Sequence, residues 1–386
     1  MKIKCQPQDF YVEEIVNIPW AQNGNYAIYK LEKKYWDTFD LLDYLTRKYH
    51  IKNIGRAGIK DRYCHSVQYI SVRDFKKPEV IEKNFKLTLV GKAQQPITIN
   101  HLIKNLFKIT IRDLNEKELA YLNQNLNSIK QYGLINYYDE QRMGSARAKQ
   151  GFIAEKLVKR HYNGALKLYL ATPSKFDDQK TRKLKKHMFE NWGNWQKCLN
   201  APYDLHQYRY PLLYLLDHPK DFKGAIKTIR KDLLEMFINA YQAFIWNETV
   251  KALIKSLNLA DVICKYRFGE LYFYQQLTDA QLTYLKTLTI PAPSYKTSFS
   301  DAKIKNLMSV VLAKDNLQLS DLKLDLGIKG IFFKPYLRNA IVFLDDIKLS
   351  EPSPDEQYPK KYKLSLEFSL PKGSYATILI KRLTKF

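Results

Sequence analysis

The sequence lacks the residue patterns on which several protein classes depend. Its four cysteines, Cys5, Cys64, Cys198 and Cys264, lie far apart and include no CxxC pair, which argues against a disulfide framework and a zinc ribbon. The sequence contains no HExxH, P-loop or GxGxxG pattern, so it predicts neither a metal centre nor a nucleotide cofactor. If the chain is an enzyme, we expect it to work with its side chains alone.

Long apolar runs are missing as well. No stretch approaches the roughly 18 uninterrupted apolar residues that cross a bilayer, and residues 1–6 do not have the apolar core of a signal peptide. We therefore expect a cytoplasmic protein with no membrane partner. At 386 residues, 45% of them hydrophobic, the chain is long enough for two domains with cores of their own.

Acidic residues are scarce relative to basic ones. The 39 Asp and Glu against 63 Lys and Arg leave a formal net charge of +24, and so large an excess favours a polyanionic partner. Aromatic residues are abundant, with 28 Tyr and 19 Phe, and unpaired RNA bases stack on such side chains. The composition therefore favours RNA binding. The alternative is an AT-rich genome, which would inflate Lys and Tyr without any such role.

Hydrophobic periodicity predicts an α+β fold with an insertion. Phe107, Ile109 and Ile111 alternate with polar residues, as in a half-buried strand, and residues 364–370 alternate in the same way. Between these strands, from about residue 160, longer helical stretches prevail. This order suggests a sheet domain interrupted by an inserted domain. The Pro-containing stretch 351–359 is expected to be an exposed connection.

Helix signals occur in both parts of the chain. Asp37 or Thr38 can cap a helix whose apolar face runs from Leu41 to Tyr49, and Lys231 to Leu257 carries apolar residues at helical spacing. Six basic residues lie in the range 175–186, which is too hydrophilic for a core. They form either a solvated helix face or an RNA contact.

The first of three chemically unusual segments is residues 56–62, Arg-Ala-Gly-Ile-Lys-Asp-Arg. It places Asp61 between Lys60 and Arg62 after a glycine turn, with Gln68 in the following strand. Flanking positive charge favours an ionised carboxylate, which a nucleophile or general base requires. The alternative, which the segment on its own favours, is a surface turn with local ion pairs.

Two later segments carry groups suited to RNA. Residues 135–144, INYYDEQRMG, offer amides that can read a base edge, tyrosines that can stack and an arginine that can hold a phosphate or a catalytic acid. Residues 370–377, LPKGSYAT, form a turn with one aromatic at the end of a strand. Each segment alone is also compatible with an ordinary polar loop.

Together these segments resemble the signatures of the TruD family of pseudouridine synthases. Residues 57–68 resemble its nucleophile motif AGxKDRxAxTxQ, residues 136–144 its NYFGxQRFG motif and residues 370–377 its LPxGSFAT motif. The family's PxDFxVxE and HLxGNxF motifs resemble the segments at 7–13 and 101–107. All five occur in family order, so the resemblance covers essentially the whole chain.

The resemblance implies an α+β architecture: a pseudouridine synthase catalytic domain with a mixed sheet, split by an inserted α/β TRUD domain. We accordingly expect the catalytic domain at residues 1–159 and 346–386 and the TRUD domain at residues 160–345. It also implies an isomerase that breaks the C1′–N1 bond of a uridine, rotates the base and forms a C1′–C5 bond, with no cofactor and no metal. The family's usual target is uridine 13 in the D arm of tRNA, and some members modify other RNAs. We expect a monomer that binds tRNA and not DNA.

The resemblance assigns two sets of site residues. Asp61 would be the nucleophile, on either the sugar or the base, and the cations that could hold it ionised, which the sequence does not rank, are Lys60, Arg62 and Arg142. The target base must leave its stack before the carboxylate can reach it. The residues expected to contact the extruded uridine are Phe10, Tyr138 and Tyr375, by stacking, and Asn136, by a hydrogen bond to the uracil edge.

The chain's departures from the family motifs include Ser66 for Thr, Lys104 for Gly, Tyr138 for Phe, Asp139 for Gly and Met143 for Phe. Asp139 is expected to matter most, because it removes backbone freedom beside the proposed base site. Two other functions remain open. One is a noncatalytic RNA-binding protein or RNA chaperone. The other is a metal-dependent nuclease acting through Asp61, Asp139 and Glu140, which lacks a clear ligand spacing.

Overall fold

The computed structural model describes residues 1–146, 150–174 and 177–384. In chain order its strands are β1 (Phe10–Val16), β2 (Tyr26–Lys33), β3 (Gly55–Arg56), β4 (His65–Val72), β5 (Glu79–Glu82), β6 (Phe85–Ala93), β7 (Leu102–Leu114), β8 (Leu134–Ile135), β9 (Val262–Tyr266), β10 (Gly269–Phe273), β11 (Thr289–Pro291), β12 (Leu337–Asn339), β13 (Ile341–Val342), β14 (Asp345–Leu349), β15 (Ser353–Pro354) and β16 (Tyr362–Pro371). Its α-helices are α1 (Thr38–Tyr49), α2 (Glu116–Tyr132), α3 (Ile153–Val158), α4 (Tyr162–Leu170), α5 (Gln179–Glu190), α6 (Trp195–Leu199), α7 (Arg209–Asp217), α8 (Phe222–Lys227), α9 (Lys231–Ser256), α10 (Asp279–Thr287), α11 (Ala302–Ala313) and α12 (Ala376–Leu383).

The chain divides into two compact units. The first unit joins residues 1–136 to the C-terminal residues from 341, and the second comprises residues 137–340. The second unit begins before residue 160 and overlaps the inserted domain predicted at residues 160–345, whose bounds stay a prediction. The reason lies in local packing, because Asn247 of α9 exchanges two hydrogen bonds with the main chain of Tyr138, and Phe152 packs on Tyr241.

The first unit is built on a ten-stranded mixed sheet. Eight strands follow the order β14-β16-β7-β1-β4-β2-β6-β5, while β15 pairs with β16 and β3 pairs with β4. β1 and β4 run parallel, and the other neighbours run antiparallel. This sheet confirms the predicted α+β class, and it places β1 between β4 and β7.

The two strands that the alternating patterns predicted are neighbours in this sheet. Phe107 of β7 pairs with Phe368 of β16, and the next buried residues along the two strands pair in the same register. The rings of Phe107 and Phe368 stack with centroids 5.3 Å apart. Buried faces that match in register specify the pairing, because a shift by one residue would turn the apolar side chains of the shifted strand to the opposite face of the sheet.

Helix α1 covers one face of the sheet near its β2 and β4 strands. Asp37 caps the helix by accepting a hydrogen bond from the amide of Phe39 at 2.8 Å. Leu41 and Leu45 are fully buried in a cluster with Tyr29 of β2 and other apolar residues of the sheet. The cap therefore fixes Thr38, the first residue of the helix, in place beside the sheet.

The second unit is organised around α9, a helix of 26 residues. It is buried on several sides, and two of its buried side chains donate hydrogen bonds to the main chain: the Gln242 amide donates to the carbonyls of Pro293 and Lys334, and Trp246 donates to the carbonyl of Ile290. Two small antiparallel pairs, β9 with β10 and β11 with β12, complete the unit. The apolar spacing of Lys231 to Leu257 therefore predicted a helix correctly, since α9 spans Lys231–Ser256 and is largely buried.

The basic run of the second unit falls largely on α5. Lys180, Lys183 and Lys186 are exposed, whereas Lys185 is buried and pairs with Asp177 at 2.8 Å. Lys175, also part of the run, lies outside the described residues. Across the described ranges, no helix is long and apolar enough to cross a membrane.

Candidate active site

The sheet brings four of the five motif segments together. Val12 of β1 pairs with Ser66 of β4, so the N-terminal motif lies beside the nucleophile motif. On the other side of β1, Glu14 pairs with Asn105 of β7, and Asn105 pairs in turn with Leu370 of β16. Residues separated by more than 350 positions in the sequence therefore occupy four adjacent strands.

Asp61 lies in the loop between β3 and β4, and its side chain is 47% exposed. The Lys4 ammonium contacts its Oδ2 atom at 2.6 Å. The same ammonium lies 4.3 Å from the ring centroid of Phe10, a cation–π distance. The site thus presents a solvent-accessible carboxylate whose charged form is favoured by an adjacent cation.

The two cations that flank Asp61 in sequence contact other carboxylates. The Lys60 ammonium is buried and lies 2.6 Å from Oε1 of Glu14, which also accepts the amide of Tyr69. Arg62 pairs with Asp40 at 2.5 Å on the surface. The suggestion that Lys60 or Arg62 supports Asp61 remains a prediction, and the contact observed here is made by Lys4.

Gly58 is required by the buried pair beneath it. A Cβ atom at Gly58 would lie 2.6 Å from Oε1 of Glu14 and 2.9 Å from Nζ of Lys60. Neither group can move freely, because each is buried and held by the other. The glycine of the nucleophile motif is thus explained by close approach to an ion pair.

Side chains hydrogen-bond to the main chain of the loop that carries Asp61. Lys33, Thr38 and Cys64 all contact the main chain of Lys60 or Asp61 through their side chains. Burial raises the pKa of the Cys64 thiol, which lies 2.9 Å from the carbonyl oxygen of Asp61. The thiol therefore serves as a hydrogen-bond donor in this position.

The predicted uridine-contacting residues of the first unit differ in exposure. Asn136 is 5% exposed, and its Oδ1 accepts a hydrogen bond from the Ser374 hydroxyl at 2.9 Å. Tyr375 is half-buried and precedes α12, whereas Phe10 is 6% exposed and packs edge-on against Phe107. Ser374 therefore joins the second motif to the last one.

Tyr138 belongs to the second unit and is only 4% exposed. Its hydroxyl lies 2.7 Å from that of Tyr336, the Arg338 guanidinium lies 4.1 Å from its ring centroid, and Trp246 packs against it edge-on. Burial raises its pKa well above the ordinary value. Tyr138 is packed as a core residue in this structure, and its predicted role in stacking on a base remains a prediction.

Arg142 also belongs to the second unit. It is half-buried in a short 3-10 helix that spans Glu140–Met143, and its Nε atom is buried without a hydrogen-bond partner.

Within the described ranges, no three His, Cys, Asp or Glu side chains are grouped so that they could hold a metal ion.

Comparison with known proteins decides the family. The sequence profile of tRNA pseudouridine synthase D (TruD) matches residues 1–383. The chain belongs to the TruD family.

Individual relatives match this chain over nearly their whole length. A probable tRNA pseudouridine synthase D 1 of Methanococcus maripaludis is 33% identical over 392 aligned residues, which cover 99% of each chain. The tRNA pseudouridine synthase D of Leptospira interrogans is 30% identical over 391 residues, covering 99% of this chain and 95% of that one. Among solved structures, the putative TruD of Methanosarcina mazei has a TM-score of 0.73 at 26% identity, covering 99% of this chain and 93% of that one. The predicted family, fold class and isomerase class are confirmed.

Two of the departures from the TruD motifs lie in ordinary backbone and side-chain environments. Asp139 has φ −87° and ψ 167°, an extended conformation open to any residue, so this position does not use the freedom of glycine here. Lys104 pairs with Asp345 of β14 at 3.0 Å. Both substitutions are accommodated without backbone strain.

Three residues that contact the nucleophile loop or its ion pair were missed in the sequence. Glu14 had a usable signal, since the pattern PxDFxVxE, begun at Pro7, extends one residue beyond the segment 7–13 and ends on Glu14. Lys4 and Lys33 had none, because nothing in their local sequence distinguishes them from the other basic residues of a basic chain. Their positions become informative only when the sheet places them beside Asp61.

Proposed function

We propose that this TruD-family chain converts a uridine of tRNA to pseudouridine, with Asp61 as the nucleophile and uridine 13 of the D arm as the target. One observation carries the proposal: Asp61 is an accessible carboxylate, paired with Lys4, in the loop that matches the family's nucleophile motif. The names of the relatives, which are tRNA pseudouridine synthases, support tRNA as the substrate.

The reaction is an isomerisation. The C1′–N1 bond breaks, the base rotates and the C1′–C5 bond forms, while C5 loses a proton and N1 gains one. The ionised Asp61 attacks the sugar or the base, and the bond that it forms breaks again before the product leaves, which regenerates the carboxylate. Before attack, Lys4, 2.6 Å away, stabilises the carboxylate. Atoms and charge balance without an oxidant or an energy source.

The base has to leave the RNA stack to reach Asp61, at a cost of a few kcal/mol. In this proposal Asn136 hydrogen-bonds the uracil edge, and Phe10 and Tyr375 contact the extruded base. Asn136 would exchange its hydrogen bond from Ser374 for one to the base. The positive charge of the chain, +24 in total, would bind the tRNA phosphates.

The test is to incubate the protein with unmodified tRNA transcripts that carry uridine 13, in excess EDTA, and then map pseudouridine. We expect modification of that uridine without added metal or cofactor. Binding without modification would instead favour the RNA chaperone. Strand cleavage that requires a metal would favour the nuclease. A metal requirement that reflects only folding of the tRNA is controlled by folding the transcript before EDTA is added.

A further inference from the structure

A buried ammonium lies beneath the loop that carries Asp61. Lys33, the last residue of β2, is 1% exposed. Its Nζ donates hydrogen bonds to the backbone carbonyl oxygens of Trp36 at 2.8 Å, Asp61 at 3.0 Å and Lys60 at 3.2 Å. An ammonium has three N–H donors, so each one has an acceptor and none of the three acceptors is a carboxylate.

Such an arrangement is costly to the fold. Burial lowers the pKa of Lys33 below its ordinary value, although Cys64, Asp37 and Asp61 oppose the shift electrostatically. Burying a charged group is unfavourable unless its surroundings compensate it, and an apolar side chain of similar size avoids the problem. A charge retained in such a place indicates a role beyond filling space.

Thr38 also hydrogen-bonds to the main chain of Lys60. Its hydroxyl is fully buried and accepts the amide of Lys60 at 2.9 Å. The same hydroxyl has two acceptors within reach, the carbonyl oxygen of Lys60 at 3.1 Å and Oε1 of Gln68 at 3.2 Å. Because Thr38 is the first residue of α1, the capped start of that helix determines where the hydroxyl lies.

We propose that Lys33 and Thr38 form a buried clamp that positions Asp61 for attack. Neither side chain touches the carboxylate, so both act through the backbone as positioning residues. The clamp fixes the carbonyl groups of Lys60 and Asp61 and the amide of Lys60. Cys64 donates a further hydrogen bond to the carbonyl of Asp61. The inference rests on the proposed role of Asp61 as nucleophile.

The Thr38 pair gives the sharpest test. Thr38→Val keeps the shape and removes the hydroxyl, whereas Thr38→Ser keeps the hydroxyl. With unmodified tRNA transcripts, we expect Thr38→Val to lower the single-turnover rate at saturating enzyme by about ten- to a hundredfold, because small misplacements of reacting groups are that costly. The Kd for tRNA should change by less than about twofold, and Thr38→Ser should restore the rate. A Thr38→Val enzyme with the wild-type rate overturns the clamp.

Lys33→Met tests the ammonium, and Lys185→Met is its matched control. Lys185 is a second buried lysine, in the other unit, and it pairs with Asp177. Both variants should melt at lower temperature, but at a temperature where both are folded only Lys33→Met should lose single-turnover rate. Equal rates in the two variants contradict the proposal. If Asp61→Asn keeps its activity, the proposed function fails instead, whatever these variants do.

Discussion

At the residue scale, three of the lysine and arginine side chains around Asp61 each contact a different carboxylate. Lys4 contacts Asp61, Lys60 contacts Glu14, and Arg62 contacts Asp40. The first pair is partly exposed, the second is buried and the third lies on the surface. Because the pairs differ in burial, we expect the loss of each cation to affect activity and stability differently.

Asp61→Asn should abolish pseudouridine formation while leaving tRNA affinity within about a few-fold of wild type, because the amide keeps the shape but cannot act as a nucleophile. Asp40→Asn is the matched control, since Asp40 is an equally exposed, ion-paired carboxylate of the same surface. It should keep near-wild-type turnover. Pseudouridine mapping after incubation with tRNA measures both, and substantial turnover by Asp61→Asn means that the nucleophile lies elsewhere.

Lys4→Met and Lys60→Met should separate catalysis from folding. Lys4→Met removes the cation beside an exposed carboxylate, so we expect slower turnover with little change in melting temperature. Lys60→Met leaves the buried Glu14 without its partner, and removing one member of a buried ion pair typically costs about 3–5 kcal/mol of stability. Thermal melts and single-turnover rates measured on the same samples test this. A destabilised Lys4→Met with full activity when folded would contradict the assignment.

The sequence could not reveal these pairings, because adjacency along a loop is a poor guide to contact. Lys60 and Arg62 flank Asp61 in the sequence, yet each points to a carboxylate from another segment. Lys4 lies 57 positions away and reaches Asp61 only because the sheet places the N-terminal segment beside the β3–β4 loop. By contrast, the prediction that Asp61 is the nucleophile rests on the five motifs taken together and did not depend on these contacts.

At the element scale, Tyr138 and Tyr375 occupy different environments although both were expected to stack on the uridine. Tyr138→Ala should destabilise the second unit by about 3–5 kcal/mol, the usual effect of removing a large buried aromatic. Tyr375→Ala, at the half-buried start of α12, should slow turnover about ten- to a hundredfold with little loss of stability, because base stacking contributes about 1–3 kcal/mol. Thermal melts paired with turnover rates decide both cases. A Tyr138→Ala protein that melts normally but turns over slowly would return Tyr138 to the stacking role.

A second effect at this scale concerns the segment 351–359, which was expected to be an exposed connection. Asp355 of that segment is buried, and it accepts hydrogen bonds from Arg112 of β7 and the amide of Asp113. Its neighbour Glu356 also pairs with Arg112, at 2.9 Å. Most of the segment is exposed as predicted, but these acidic residues attach it to the sheet.

These carboxylates should make the first unit sensitive to acid. Burial alone raises the pKa of Asp355, but hydrogen bonds from Asp113, Gln357 and Arg112 outweigh it and leave the pKa below its ordinary value. Hydrogen bonds from Lys363 and Arg112 lower the pKa of Glu356 from 4.5 to about 2. In both cases the unfolded chain takes up protons first as the pH falls. The contribution of Glu356 to stability is therefore complete above about pH 4.5 and lost as the pH falls toward its folded pKa of about 2. The contribution of Asp355 is lost in the same direction, as the pH falls below the ordinary pKa of an aspartate.

Urea unfolding between pH 6 and pH 2 measures this effect. Glu356→Gln should flatten the dependence of the unfolding free energy on pH in that window, because the amide does not titrate. Glu351→Gln, an exposed change in the same segment, serves as the control and should leave the dependence unaltered. Identical pH profiles for wild type and Glu356→Gln would contradict the linkage.

At the scale of the whole molecule, periodicity predicted the elements better than their grouping into units. The alternating patterns of β7 and β16 and the capped start of α1 were readable because each depends on burial within a few neighbouring residues. The boundary between the units was not readable from local pattern. Whether residues 137–158 pack on the sheet or on α9 depends on long-range partners such as Asn247 and Tyr241.

The last prediction concerns the net charge of +24. If the excess reflects phosphate contacts, the logarithm of tRNA affinity should fall linearly with the logarithm of salt concentration, by about 0.7–0.9 for each phosphate neutralised. Reversing two exposed lysines of α5, in Lys180→Glu/Lys183→Glu, tests whether the basic run contributes. The matched control reverses Lys303 and Lys305, which are exposed on α11 of the same unit and change the net charge equally. A shallower slope for the α5 variant alone assigns RNA contact to that helix. Equal slopes in the two variants indicate that only the total charge acts, and that the α5 run is a solvated helix face.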